Sequence, residues 1–225
     1  MPDRQTDLKE KILTTGIKLF LTNGYVGTSI RDLTDTVGIA RGTLYWHFKS
    51  KDQILDEILD RYCERFIDAA IKTMNSCNGD FLTKFHVFYR FITEFARDNP
   101  ELLMVFDTLL GEISRNGTEA ANKMKEIRSR LGNSIESLLE IGRKEGVVDK
   151  DIDIKLHAHI ILATFTGMLL HWFVHEESLD AVAYSRAFRV EILRGLCSEK
   201  THQAKETAKQ AERLKKNKKI RQLIQ

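Results

Sequence analysis

Residues 41–52 carry side chains that suit nucleic-acid binding, at helical spacing. The segment RGTLYWHFKSKD combines an arginine, two lysines, hydroxyls and several rings. Arginine and hydroxyl groups bond base edges or phosphates in the major groove of DNA, and rings pack on sugars and thymine methyls. Leu44 and Phe48, four residues apart, fall on the opposite side of the same helix. The pattern predicts a short helix with one buried face and one face presented to DNA.

The preceding residues supply the first helix and the turn of a helix-turn-helix. Thr28 or Ser29 can cap the N-terminus of a helix, because a hydroxyl accepts from the free amides of the first turn. The apolar face of that helix recurs at helical spacing, at Ile30, Leu33, Thr34 and Val37. Gly38 follows, where a left-handed C-cap is needed, and Ile39 is expected to fill the turn. We therefore predict a helix-turn-helix over about residues 29–48.

These residues resemble the DNA-binding signature of the TetR family of transcriptional regulators, in its AcrR-like form. The positions that match the signature are Gly42, Thr43, Leu44, Tyr45, His47, Phe48, Lys51 and Asp52. The resemblance covers about the first quarter of the chain closely and the rest only in helical architecture. Arg41 stands at a position that varies in the family, so the resemblance does not specify the operator sequence.

The resemblance implies a role for each residue that contacts DNA. The bases would be contacted by Arg41, Gly42, Thr43 and Trp46. The phosphates would be held by Tyr45, His47 and Lys51. Thr28, beside Ser29, would anchor the DNA backbone at the first helix of the motif. The complete predicted set is Thr28, Ser29, Arg41, Gly42, Thr43, Tyr45, Trp46, His47 and Lys51. The alternative is that Tyr45, Trp46 and Phe48 form a small aromatic core.

Composition favours an all-α protein. The 225 residues include only two prolines, and apolar residues follow a helical period almost throughout. The three cysteines are odd in number and lack CxxC spacing, which predicts reduced thiols in a cytoplasmic protein. The N-terminal residues are charged and contain no apolar signal region. The longest apolar run, 160–174, falls short of the ~20 residues of a membrane span, so we expect a buried helix and no membrane partner.

Charge divides the chain into three parts. Residues 1–51 contain eight basic residues (Lys and Arg) and five acidic residues (Asp and Glu). Residues 52–198 contain eighteen basic and twenty-four acidic residues, and residues 199–225 contain nine basic and three acidic residues. A basic head attracts phosphates and an acidic body does not. We predict a DNA-binding domain over 1–51, a ligand-binding and dimerisation domain over 52–198, and a basic extension over 199–225. The extension has two interpretations, a solvated tail or an additional contact to DNA.

The periodicity predicts nine helices, three in the head and six in a larger C-terminal bundle. The fourth runs over 51–75, and the later helices are expected over 80–98, 100–113, 118–145, 154–176 and 179–197. The last two are apolar on more than one side and must bury a second face. The resemblance implies a homodimer through these two helices, and helix-turn-helix heads usually read two half-sites about 34–36 Å apart.

Aromatic and apolar residues of the bundle predict a cavity for a small apolar or amphipathic ligand. The candidate lining residues are Phe88, Phe91, Phe95, Phe106, Leu110, Phe165, Met168 and Trp172. Most such residues are ordinary core, but regulators that resemble this chain commonly bind a small molecule in the body. We therefore expect a repressor that releases a palindromic operator when the ligand binds.

No catalytic motif is present. The chain contains no HExxH, GxSxG, P-loop or GxGxxG sequence, so we predict no enzymatic activity and no cofactor. His171 and His175 lie four residues apart, but a firm metal site needs a third ligand, and we predict none. Two alternative functions remain: a ligand-independent architectural DNA-binding protein, and a helical metal- or ligand-binding protein with a vestigial head.

Overall fold

A computed structural model describes residues 4–115 and 117–197, and the predicted basic extension lies outside these residues. The head contains α1 (Arg4–Gly27), α2 (Ile30–Val37) and α3 (Arg41–His47). Two helices, α4 (Lys51–Tyr62) and α5 (Ala69–Ser76), are joined by a π-helical segment, Cys63–Asp68. The remaining helices are α6 (Phe81–Asp98), α7 (Pro100–Ile113), α8 (Glu119–Lys144), α9 (Ile154–Val174) and α10 (Ala181–Leu196). The predicted all-α class is confirmed.

Helix ends lie close to their predicted positions because local side chains cap them. Asp80, Thr118 and Asp153 each accept a hydrogen bond from a backbone N–H of the first turn that follows. Pro100 is the first residue of α7, where its missing N–H costs nothing. These contacts are local in sequence, which is why composition and spacing were sufficient to predict them.

Two backbone features differ from the predicted helices. At Gly24 the backbone of α1 leaves the helical region (φ 74°, ψ 168°), and one short helical piece follows before α2. The predicted fourth helix is interrupted by the π-helical segment, whose Phe66 and Ile67 are buried. A π-helical turn contains an extra residue, so it shifts the side chains that follow around the helix axis.

The core of the head extends into α4. Ile12 and Phe20 of α1 pack with Leu44 of α3, all fully buried, and Ile54 and Ile58 of α4 belong to the same core. A Cβ added at Gly16 would lie 3.2 Å from Ile54 Cγ2, so glycine permits the close approach of α1 to α4. Helix α4 is therefore shared between the head and the body.

The bundle helices continue the same core and leave one face of α9 exposed. Ile161, Phe165 and Leu169 of α9 are buried against the bundle, whereas Ile160 and Leu170 are about half exposed. The expectation that this apolar run is a buried helix is thus correct for one face only. By length and hydropathy α9 is also the one described helix that could cross a membrane, a property that core helices of globular proteins share.

Candidate functional site

The two ends of α2 are fixed by Ser29 and Asp32 at its start and by Gly38 in the turn that leads to α3. Ser29 Oγ accepts from the Asp32 backbone N–H (3.1 Å), and the Asp32 carboxylate accepts from the Ser29 N–H (2.7 Å), forming a capping box. The Ser29 hydroxyl, which donates to the Asp32 carboxylate at 2.7 Å, and the Ser29 N–H together hold the pKa of Asp32 below its usual value. Gly38 adopts the left-handed conformation (φ 78°, ψ 42°), and its N–H donates to Thr34 O at 2.9 Å. Ser29, not Thr28, is therefore the N-cap, and Gly38 ends α2 as predicted.

Helix α3 presents the predicted base-contacting side chains on one exposed face. Leu44 and the following Phe48 are fully buried, which fixes the rotation of α3 against α1 and α2. Tyr45 is 46% exposed and Trp46 is 69% exposed, so they do not form an aromatic core. Arg41, Gly42, Thr43, Tyr45 and Trp46 are all exposed, and His47 is half-buried. Their contacts with DNA remain a prediction.

Thr28 and Lys51 have internal contacts that the sequence did not predict. Thr28 is 1% exposed, and its hydroxyl donates to Gly24 O (2.7 Å) and Leu19 O (3.2 Å). Lys51 Nζ donates to Tyr25 O and Thr28 O, both at 2.6 Å. The Thr28 hydroxyl is thus unavailable as an anchor for the DNA backbone, and two of the three N–H donors of Lys51 are occupied by carbonyls. Contact of Lys51 with a phosphate remains a prediction. Motif resemblance transfers residue types but not side-chain directions, which depend on the carbonyls that lie nearby.

A cavity of about 530 Å³ lies in the bundle between α6, α7, α8, α9 and α10. Most of its wall is apolar, with one polar cluster inside. Arg128 donates to the Asp107 carboxylate at 3.0 Å and to the Thr166 hydroxyl. Burial raises the pKa of Asp107, and the nearby Arg128 guanidinium opposes that shift. The Nε1–H of Trp172, also in the wall, is buried and has no hydrogen-bond partner among the described residues.

The charged residues around this cavity are mostly arginines. Five arginines and two acidic residues line it: Arg90, Arg97, Arg128, Arg186, Arg189, Glu94 and Asp107. All the arginines except Arg128 and Arg189 are exposed at the solvent edge. This excess of positive charge is local, because residues 52–198 hold more acidic than basic residues overall. A basic edge on an apolar cavity attracts an amphipathic anion.

Three of the eight predicted ligand-contacting residues line the cavity, namely Phe165, Met168 and Trp172. The prediction is wrong for the other five residues, which do not line the cavity: Phe88, Phe91, Phe95, Phe106 and Leu110. They pack against other side chains. Phe106 stacks on Tyr62 (centroids 3.9 Å apart, planes at 3°), Phe91 and Phe95 pack on Phe66, Phe88 contacts Phe165 edge-on at 6.2 Å, and Leu110 packs on the core.

The polar residues of the cavity, Asp107 and Arg128, were not among the residues predicted to contact a ligand. Asp107 stands between Phe106 and Leu109 in the apolar helix α7, and Arg128 follows the buried Ile127. A charged residue inside an apolar stripe usually has a partner or a ligand. That signal was present in the sequence, but the pairing of Asp107 with Arg128 required the packing of α7 on α8.

The exposed face of α9 forms an apolar stripe. Its members are spaced alternately by four and three residues: Leu156, Ile160, Ala163, Gly167, Leu170 and Val174. This is the spacing of a helix that packs along a partner helix. Val182 and Val190 of the neighbouring α10 are exposed as well.

The histidines of α9 do not meet further metal ligands. The His171 and His175 rings lie 4.5 Å apart and both are exposed. Within residues 4–115 and 117–197, no group of three or more His, Cys, Asp or Glu side chains is placed to hold a metal ion.

The fold and the exposed α3 define a helix-turn-helix DNA-binding protein. Residues 12–58 match the sequence profile of the family described as bacterial regulatory proteins, tetR family. These residues therefore form a DNA-binding domain of the TetR type, and the chain is a DNA-binding transcriptional regulator.

Relatives and solved structures share this architecture along most of the chain. The HTH-type transcriptional repressor KstR2 of Mycolicibacterium smegmatis is 22% identical over 202 residues, covering 87% of this chain and 93% of that protein. The crystal structure of the MbdR regulator from Azoarcus sp. CIB is 25% identical, with a TM-score of 0.76 over 85% of this chain and all of that one. The structure of FadR from Bacillus subtilis in complex with stearoyl-CoA is 20% identical, with a TM-score of 0.68, and the match covers 83% of this chain and 98% of that chain.

Proposed function

We propose that the protein is a ligand-responsive repressor that binds a palindromic operator as a homodimer in the cytoplasm. The observation that carries the proposal is the exposed face of α3 above a capped helix-turn-helix. The name of KstR2 as a repressor supports the sign of regulation. In this proposal residues 1–51 bind DNA, residues 52–198 bind the ligand and the second copy, and the basic residues 199–225 make no contact with DNA.

The proposed contacts to bases are made by Arg41, Gly42, Thr43 and Trp46, and the contacts to phosphate by Tyr45 and His47. Lys51 contributes at most its remaining N–H to phosphate, and Ser29 positions α2 by capping it. A good side-chain contact to a base edge discriminates by about 1–3 kcal/mol. Loss of such a contact therefore weakens operator binding roughly 5–150-fold.

The test begins with footprinting on chromosomal DNA to find the operator. Arg41→Ala should then weaken operator binding within the range given above. Arg143→Ala is the matched control, because it removes the same charge from an ion pair with Glu140 at the end of α8. Equal affinity of the two variants would contradict the assignment of α3. Diffuse protection would favour an architectural protein, and no protection would favour a vestigial head.

The exposed α9 stripe supports the homodimer. A stripe with the period of a two-helix interface is costly to leave in water, and a two-fold operator requires two heads. Ala163 and Gly167 at its centre let two copies of α9 approach closely. The second copy, and not a membrane, then covers the apolar surface of α9 and α10.

The ligand that the cavity favours is an amphipathic anion. The apolar wall accommodates a hydrocarbon body, the exposed arginines hold negative charge, and a ligand oxygen near Trp172 would satisfy its buried Nε1–H. That FadR from Bacillus subtilis has been crystallised with stearoyl-CoA supports this class.

Calorimetry with stearoyl-CoA, free stearate and the uncharged alcohol of the same length tests the ligand class. The two anions should bind and the alcohol should bind more weakly. Arg186→Ala should reduce the difference in affinity between the two anions and the alcohol, because it removes one positive charge from the edge of the cavity. Equal binding of all three compounds would contradict a role for the arginines. The cavity needs no cofactor for this function, and we propose no enzymatic activity.

A further inference from the structure

The last turn of α7 holds the head of the protein through Glu112. Glu112 Oε2 accepts from the backbone N–H of Tyr25, and Oε1 accepts from the N–H of Val26, both at 2.9 Å. The two amides follow the break at Gly24, so no helical carbonyl satisfies them. A Cβ added at Gly24 would lie 3.0 Å from Glu112 Oε2, so the carboxylate fits directly over the glycine.

The segment that Glu112 caps also receives bonds from the start of α4. Lys51 donates to Tyr25 O and Thr28 O, and the Tyr25 hydroxyl donates to the Asp52 carboxylate. The next residue, Ser29, is the N-cap of α2. The path of residues 25–28 therefore sets the direction in which α2 and α3 leave the body, and Glu112 is the residue of α7 that bonds the backbone of this path.

Helix α7 also forms part of the ligand cavity. Leu103 and Asp107 line the cavity, and Glu112 lies five residues beyond Asp107 on the same helix, about 7.5 Å along its axis. A single rigid element thus touches both the cavity and the segment that carries the recognition helix.

We propose that Glu112 is a positioning residue for DNA binding, which fixes the angle of the head on the body by capping the Tyr25 and Val26 amides. This inference rests on the proposed function and adds a connection through α7 to the one through α4. Hydrogen bonds that involve a carboxylate are shorter and stronger than neutral ones. Two of them on adjacent amides restrain both the position and the direction of the segment.

A second acidic residue of α7 provides a matched control. Glu101 also faces α1, where it lies 3.9 Å from Lys18, and both side chains are about half exposed. Such surface pairs contribute little. Glu101→Ala and Glu112→Ala therefore remove the same charge from the same helix interface, but only the second removes bonds to the backbone of the head.

Hydrogen exchange measures the restraint without DNA. In Glu112→Ala the amides of residues 25 and 26 should exchange at least about tenfold faster, the loss expected for one hydrogen bond to a charged group. Glu112→Gln keeps one acceptor and should fall between this variant and the wild type. Glu101→Ala should match the wild type. Unchanged exchange in Glu112→Ala would overturn the proposal.

Operator affinity then measures the effect on function. Glu112→Ala should bind the operator roughly tenfold more weakly, with the salt dependence of wild type because no phosphate contact is lost. Glu112→Gln should recover part of the affinity, and Glu101→Ala should stay within about twofold. Faster exchange with wild-type affinity, or equal losses in Glu101→Ala and Glu112→Ala, would overturn the positioning role. If the wild-type protein binds no DNA, the proposed function fails, whereas the exchange result still reports the contact.

Discussion

Replacing Gly167 with alanine tests the proposed dimer, because the expected sign depends on what covers α9. A Cβ added at Gly167 meets nothing within 4 Å among the described residues of the single chain. Glycine in a helix interior costs about 0.8–1.0 kcal/mol relative to alanine. The monomer should therefore gain up to about 1 kcal/mol of stability from the substitution, and no contact within residues 4–115 and 117–197 explains why glycine stands there.

In the dimer the same methyl group enters the interface. Gly167 lies at the centre of the exposed α9 stripe, and an extra methyl in a close-packed interface costs about 1–3 kcal/mol. The helix-propensity gain is equal in the free and paired chains, so it does not affect the dimer dissociation constant. Because the dimer is two-fold symmetric, each copy adds one methyl group to the interface. We expect the dissociation constant to rise by at least about tenfold.

Sedimentation equilibrium over a range of concentrations measures the dimer dissociation constant. Thermal unfolding at low protein concentration measures the stability of the monomer. Gly111→Ala is the control, since Gly111 is a helical glycine of α7 that also has open space around its Cβ. It should stabilise the chain without changing dimerisation. A Gly167→Ala protein that dimerises as tightly as the Gly111→Ala protein would refute the assignment of the α9 stripe as the interface.

Three other variants test the head, the core and the tail. Gly24→Ala should lower the free energy of unfolding by about 1–3 kcal/mol because this backbone conformation is nearly exclusive to glycine, and contact of the added methyl group with Glu112 should increase the loss. Gly38→Ala should lower it by only about 1–2 kcal/mol, because the space around Gly38 is open. Equal losses in urea unfolding would contradict the crowding at Gly24. Phe106→Ala should lower the free energy of unfolding by about 3–5 kcal/mol because its ring is buried on Tyr62, and a loss below about 1 kcal/mol would contradict its place in the core. Deleting residues 199–225 should leave the salt slope of operator binding unchanged, and a shallower slope would show that the tail contacts phosphate.

The recognisable parts of the head depend on chemistry within a few residues of sequence. Ser29 caps α2 through a residue three positions away, and Gly38 is glycine because the turn needs a left-handed residue. Such rules act before any tertiary contact forms, so sequence reasoning located the helix-turn-helix and most helix ends. It failed for Thr28, because the direction of its side chain is set by carbonyls in α1 and not by its position in the motif.

The cavity shows the opposite case. Helical periodicity places Phe106 and Phe165 on apolar faces alike, yet only Phe165 reaches open space, because Tyr62 covers Phe106. The π-helical segment after Tyr62, which shifts the register of the following residues, left no signal that spacing alone reveals.

Residue types and their spacing established an all-α regulator with a DNA-binding head, because caps, turns and amphipathic periods are properties of neighbouring residues. Packing alone decided which apolar faces enclose a cavity, which arginines surround it and which carboxylate holds the head. Each of those outcomes joins groups distant in sequence, such as Glu112 and Tyr25 or Asp107 and Arg128. Their energies depend on distance and burial, and both arise only once the helices have packed.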